Sequence, residues 1–217
     1  MMRTPIWLFD LDNTLHNASA HIFPHINSAM TAYIERHLRV DTAEANRLRM
    51  HYWQRYGATL LGLIRHHGTD PAHFLAETHR FDRLHDMLVF DRALRHRLRQ
   101  LPGRKIVFSN GPGAYARAVL NLMGVERCFD DVFAVEEMGL QPKPQTAAFR
   151  RLLIAHRLDP RRCVLVEDSL ENLHAAKRLG MKTVWISRTA GRPHYVDMQL
   201  GSVLQLPRKA TRLGLSR

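Results

Sequence analysis

Hydrophobic residues fall into two patterns along this chain. Five short runs, Ile6–Phe9, Lys105–Phe108, Val132–Val135, Val164–Val166 and Thr183–Ile186, are near-continuously apolar rather than alternating. Strands buried on both faces of a parallel sheet read this way. Between the later runs, apolar positions recur at helical spacing. Tyr115, Val119, Leu122 and Met123 share one face, with Gly124 placed to end that helix. Phe149, Leu152, Leu153 and His156 share the next, with Pro144 near its first turn. Ser169 is placed to cap a third helix, with Leu170, Leu173 and Ala176 facing inward and Gly180 ending it. Strands and helices that alternate in this way predict a doubly wound, Rossmann-like parallel α/β layer.

The segment after the first run breaks the alternation. Some 75 residues follow Leu15 without a convincing strand. Ile26, Met30, Tyr33 and Leu38 predict one amphipathic helix, and Leu48, Tyr52 and Tyr56 a second. Leu60, Leu61 and Ile64 suggest a third, and Phe74 and Leu75 a fourth. The expected organisation is an α/β core from residues 1–16 and 90–217, with a helical insertion at 17–89.

Composition narrows the class. The 217 residues are 45% hydrophobic and 24% charged, ordinary values for a soluble globular chain. No run reaches the roughly 18 apolar residues that span a bilayer, so no membrane partner is expected. Pro5–Phe9 is cut short by Asp10 and Asp12, too early for a signal-peptide core. Cys128 and Cys163 are the whole cysteine content, which makes a reducing cytoplasm the expected compartment. Net charge is +12, which raises a nucleic-acid reading. The charges are scattered on helix faces, no aromatic-interleaved basic strip accompanies them, and nucleic acid is not expected as a partner. The last eleven residues carry Arg208, Lys209, Arg212 and Arg217 with no acid, and read as a frayed end. The 14 histidines show no paired zinc-ligand spacing.

Four features follow strand ends. Asp10 and Asp12 leave the first strand together; carboxylates so placed call for a cation, and hard oxygen ligands suit Mg²⁺. Asp-Asn-Thr is turn chemistry as well. Ser109-Asn110-Gly111 reads as an anion cradle or as an everyday turn. Lys143, fixed between Pro142 and Pro144, reads as a phosphate contact or as a loop lysine. Glu167-Asp168-Ser169 reads as a second acidic pair or as a helix cap, and both can hold. Ligands of open α/β sheets bind beyond the carboxyl ends of the strands, and all four features belong on that edge. Together they are the parts of a phosphoryl-transfer site.

This set, DLDNT at Asp10–Thr14, FSNG at Phe108–Gly111, the isolated Lys143 and VEDS at Val166–Ser169, resembles the four motifs of the haloacid dehalogenase-like (HAD) phosphohydrolases. The resemblance extends to about Pro207, and the insertion is similar to that family's helical cap. It implies that Asp10 attacks phosphorus and that Asp12 serves as acid and base. It implies that Asp10, the Asp12 backbone carbonyl and Asp168 hold Mg²⁺, with Glu167 direct or through water. Ser109, the Asn110 backbone and Lys143 would neutralise the phosphoryl oxygens. The second aspartate speaks against the dehalogenase branch. Asn13, Asn172 and the stretch Tyr52–Gly57 through Ile64 are similar to pyrimidine 5′-nucleotidases, which implies a nucleoside 5′-monophosphate substrate. Tyr52, Trp53, Tyr56, Arg65 and His66 are then candidate contacts to base or sugar, with helix packing as the alternative for each. A sugar-phosphate or phosphoglycolate phosphatase is the other reading within the fold. A basic nucleic-acid-binding protein is the reading from another class.

Overall fold

The computed structural model describes residues 4–214. Six strands, β1 (Ile6–Phe9), β2 (Arg104–Phe108), β3 (Asp131–Phe133), β4 (Cys163–Glu167), β5 (Lys182–Ile186) and β6 (Met198–Leu200), form one parallel sheet in the order β3-β2-β1-β4-β5-β6. Helices α1 (Ile22–Leu38), α2 (Thr42–Tyr56), α3 (Thr59–His67), α4 (Pro71–Thr78) and α5 (Leu84–Met87) follow β1 in the chain. Helices α6 (Leu94–Arg99), α7 (Gly113–Leu122), α8 (Thr146–His156), α9 (Leu170–Arg178) and α10 (Leu206–Lys209) accompany the remaining strands. The chain separates into two compact units: Ala18–Met87, and the segments on either side of it. No helix among the described residues is long and apolar enough to cross a membrane.

In the sheet unit, β1 is buried at all four positions, because a strand flanked on both sides and covered on both faces leaves no site for a polar residue. Its register sets the site. Phe9 lies opposite Val107 on β2 and Val166 on β4. Asp10 therefore leaves the sheet at the level of Phe108 and Glu167, with its N–H still bonded to the Val166 carbonyl at 3.0 Å. The strand order reverses direction at β1, the point where such sheets open a crevice. Beneath it, Leu8, Phe108, Phe149, Leu165 and Leu173 belong to one apolar cluster, with Phe108 and Phe149 edge to face at 5.2 Å.

Several sequence expectations are corrected. The third strand stops at Phe133, so Val135 lies beyond it although buried. Strand β6 was not anticipated, since Met-Gln-Leu on a sheet edge carries no β-branched signal. Leu122 is 46% exposed. The buried arc of α7 is centred near Ala116, Val119 and Met123, roughly a quarter turn from Leu122 at about 100° per residue. Helix α8 begins at Thr146, past Pro144. The basic tail is not frayed up to Gly214. Residues Leu206–Lys209 and Ala210–Leu213 are helical, with Leu206 and Leu213 buried, because those two apolar side chains anchor the segment; Arg217 lies outside the described residues.

Asp197, just before β6, ties that edge down. Its carboxylate accepts from Lys177 Nζ at 2.7 and 2.8 Å, from the Thr183 N–H at 2.9 Å and from the Thr183 hydroxyl at 3.0 Å. Burial alone would raise its pKa, but Lys177 and Thr183 outweigh it and hold the group below the ordinary 3.8. A depressed folded pKa contributes stability above the unfolded value and loses it as pH falls through the folded one. Asp197→Asn should therefore cost about 1–3 kcal/mol in urea unfolding at pH 7. The gap to wild type should close as pH drops below 3.8. A gap independent of pH would show that the charge is not what matters.

In the helical unit, Asp41 caps α2 and Asp70 caps α4, the latter with Pro71 in the first turn. Helices α2 and α3 approach closely at Gly62, where an added methyl would sit 2.2 Å from Cγ of Tyr52. Only a residue without a side chain admits the buried Tyr52 ring there.

Candidate active site

Three carboxylates converge at the carboxyl end of the central strands. Asp10, Glu167 and Asp168 each offer a ligand oxygen, and these atoms lie within 4.8 Å of one another. Lys143 enters from the loop ahead of α8, only 2% exposed. Its Nζ donates to Asp10 Oδ1 at 2.8 Å, to Glu167 Oε2 at 2.8 Å and to the Phe108 carbonyl at 2.6 Å. All three ammonium protons are thereby engaged. Lys143 stands in a loop but is not the exposed loop lysine that the sequence also allowed.

The electrostatics follow from that crowding. Burial, with the charge of Glu167 added, pushes Asp10 up to about 7 even though Lys143 opposes the shift. Burial also raises Glu167 and Asp168. Burial alone would lower Lys143, but Asp10 and Glu167 outweigh it and keep the ammonium charged. Three acids around one ammonium leave an excess of negative charge in a dry place, which a hard divalent cation would relieve. The donor set, all carboxylate oxygen, suits a hard divalent cation such as Mg²⁺.

The Ser-Asn-Gly turn after β2 frames the same edge. Ser109 is buried, its N–H bonded to the Phe133 carbonyl at 3.1 Å and its hydroxyl accepting from the Gly111 N–H at 3.0 Å. Asn110 grips the backbone of Lys143 twice, accepting from its N–H at 2.8 Å and donating to its carbonyl at 3.0 Å. The side chain of Asn110 thus fixes where the lysine stands. On the other flank, the Trp185 indole donates to the Asp168 carbonyl at 2.9 Å, and the Ser169 hydroxyl caps α9 by accepting from the Asn172 N–H at 3.3 Å. The helix-cap reading of Glu167-Asp168-Ser169 is observed, and the two acids lie beside Asp10.

Asp12 lies two residues beyond Asp10, and Asn13 after it takes the left-handed backbone (φ 60°) that asparagine tolerates. The side chain of Asp12 accepts from the Tyr115 hydroxyl at 2.6 Å and is hydrogen-bonded to His16 Nε2 at 3.0 Å. Burial and the Asp12 carboxylate raise the Tyr115 pKa, so the phenol stays protonated and donates. The sequence reading missed both partners. Tyr115 registered only as a helix-face position, and no motif marks His16. His16 also lines a cleft of about 560 Å³ with Thr14, Val89, Phe90 and Arg188.

The five candidate substrate residues all belong to the helical unit. Tyr52 is buried, its hydroxyl bonded to His67 at 2.7 Å and its ring stacked on His66 at 5.4 Å. The Tyr56 hydroxyl is bonded to His66 at 2.7 Å, and the Arg65 guanidinium lies 5.8 Å from the Tyr56 ring centre. Trp53 is 56% exposed. Four of the five thus form one aromatic and cationic cluster.

The sheet topology and this edge define a class, and comparison with known proteins agrees. Residues 6–180 match the haloacid dehalogenase-like hydrolase family, and the chain belongs to that family. It is 26% identical over 195 residues to Phosphate metabolism protein 8 of Saccharomyces cerevisiae, covering 81% of this chain and 59% of that one. The chain therefore spans less than two thirds of that relative's length. Among solved structures, it resembles the HAD phosphatase from Thermococcus onnurineus with a TM-score of 0.67 and 22% identity, covering 96% and 98% of the two chains. It resembles the L-2-haloacid dehalogenase from Xanthobacter autotrophicus with a TM-score of 0.61 and 16% identity, covering 96% and 99%. At these identities the structural likeness speaks for the shared α/β fold.

Proposed function

We propose that this hydrolase is a Mg²⁺-dependent phosphatase of small phosphomonoesters, acting through an aspartyl-phosphate on Asp10, with a nucleoside 5′-monophosphate as substrate. The observation that carries the reading is the convergence of Asp10, Glu167 and Asp168 around Lys143 at the strand ends, with a second aspartate two residues after Asp10. The relative from yeast, named for phosphate metabolism, supports the same direction.

Each residue has a definable task. Lys143 holds Oδ1 of Asp10 and so orients the carboxylate for attack. The Asp10 oxygen forms a bond to phosphorus while the ester P–O bond breaks, and the leaving oxygen takes its proton from Asp12. Water then attacks phosphorus, gives its proton to Asp12 and frees the Asp10 carboxylate with inorganic phosphate. The Ser109 hydroxyl, the Asn110 N–H and the charge of Lys143 would neutralise the phosphoryl oxygens. Asp10, Asp168, Glu167 and the Asp12 carbonyl would hold Mg²⁺, which when bound withdraws charge from the phosphoryl group and lowers its repulsion of an anionic nucleophile. Asp12 sets this chain apart from dehalogenase chemistry, in which no leaving oxygen needs protonation. Tyr52, Trp53, Tyr56, Arg65 and His66 are assigned to recognition of base and sugar by the helical unit. The +12 charge would raise the local concentration of anionic substrates.

The test is phosphate release from a panel of UMP, CMP, sugar phosphates and phosphoglycolate. Turnover should require Mg²⁺, stop with EDTA and favour the nucleotides. Equal rates on sugar phosphates would remove the nucleotide assignment. Chloride release from a 2-haloacid without phosphatase activity would overturn the reaction class.

A further inference from the structure

We infer that Tyr115 and His16 are positioning residues for Asp12, together pinning one oxygen of its carboxylate so that the other faces the leaving group. The inference rests on the role proposed for Asp12 and extends it to two side chains outside the four motifs.

Both contacts end on the same atom. The Tyr115 hydroxyl and His16 Nε2 both meet Oδ1 of Asp12. A carboxylate held at one oxygen by donors from two directions loses its freedom to rotate about χ2, which for aspartate is otherwise broad. The two partners come from different places in the chain: His16 is four residues on, and Tyr115 is on α7, 103 residues away. Both side chains are buried, whereas the Asp12 side chain keeps 16% exposure. The supports are thus enclosed and the supported group is reachable.

Two further observations favour positioning over incidental packing. Among the described residues His16 Nδ1 has no hydrogen-bond partner, so the protein orients the ring through its bond to Asp12. At Gly111 an added Cβ would stand 3.1 Å from Tyr115 Cδ1, closer than side chains ordinarily pack. The glycine of the Ser-Asn-Gly turn therefore makes room for the Tyr115 ring, and the turn that presents Ser109 also seats the phenol that holds Asp12.

Leaving-group chemistry gives a discriminating test. An aryl phosphate such as p-nitrophenyl phosphate expels a stable anion and needs little help from an acid, whereas an alkyl phosphate needs a proton. Tyr115→Phe should lower kcat/KM, which reports only the steps up to phosphoenzyme formation where the leaving group departs, about 10- to 100-fold on the alkyl phosphate and by no more than about threefold on the aryl phosphate. In an Asp12→Asn background, adding Tyr115→Phe should change nothing further, because its effect passes through the carboxylate. His16→Leu should follow the same pattern, and His16→Gln, which keeps a donor at similar reach, should recover most of the rate. Thermal melts establish that the compared variants are folded; should Tyr115→Phe fail to fold, the His16 pair alone decides. Equal loss of kcat/KM on both substrates, an additive loss in the Asp12→Asn background, or no loss at all would overturn the inference. Should Asp12→Asn itself slow the alkyl ester selectively while the Tyr115 and His16 variants do nothing, the inference falls and the reading of Asp12 stands. A wild-type protein inactive on both phosphates would overturn the two together.

Discussion

Asp10→Asn is expected to lower phosphomonoester turnover by about four orders of magnitude or more, since an amide of the same shape offers no nucleophilic oxygen. The fold should survive. Burial, with the charge of Glu167 added, already pushes the Asp10 pKa up to about 7, so a neutral side chain there removes a desolvated charge rather than creating one. The variant's melting temperature in EDTA should equal or exceed that of wild type, while phosphate release falls to background. The melting-temperature gain that wild type shows on adding Mg²⁺ should shrink, because one of three clustered carboxylate ligands is gone. Retention of wild-type rates would show that some other group attacks phosphorus.

Lys143→Met is expected to produce the largest loss of stability of any single change considered. It removes the ammonium that bonds Asp10, Glu167 and the Phe108 carbonyl, and leaves two buried carboxylates facing each other. Breaking a buried charge pair by deleting one partner costs about 3–5 kcal/mol. That is a large share of the roughly 5–15 kcal/mol that holds a typical domain together. Urea unfolding of the metal-free protein at pH 7.5 measures it. The same substitution made in an Asp10→Asn background should cost less, because one of the stranded charges has been removed. Equal costs in the two backgrounds would mean that Lys143 matters for packing and not for charge.

These two residues show how far sequence alone reaches. Asp10 was legible because an apolar run buried on both faces ends on it, and an aspartate in that place needs a chemical reason. Lys143 was noticed for its flanking prolines, yet its three bonds could not be foreseen. The nearest of its carboxylate partners in the chain is 24 residues away and the other 133. Asn110 shows the same limit: it was expected to offer its backbone, and its side chain turns out to fix the lysine's main chain. Tyr115 could be read only as one more apolar position of α7, since its ring does pack inward and nothing local reveals where the hydroxyl ends.

The sequence by itself determined the α/β alternation, the helical insertion after the first strand and the acids that follow the strands, because burial on both faces of a parallel sheet imposes continuous apolar runs and confines charge to their ends. Tertiary structure alone decided the partners. Parallel register places Asp10 level with Glu167 and Phe108, and only then do an ammonium and a phenol from distant parts of the chain come within hydrogen-bond reach of the carboxylates. Such contacts depend on distances of about 3 Å between remote segments, a length that spacing along a chain does not encode.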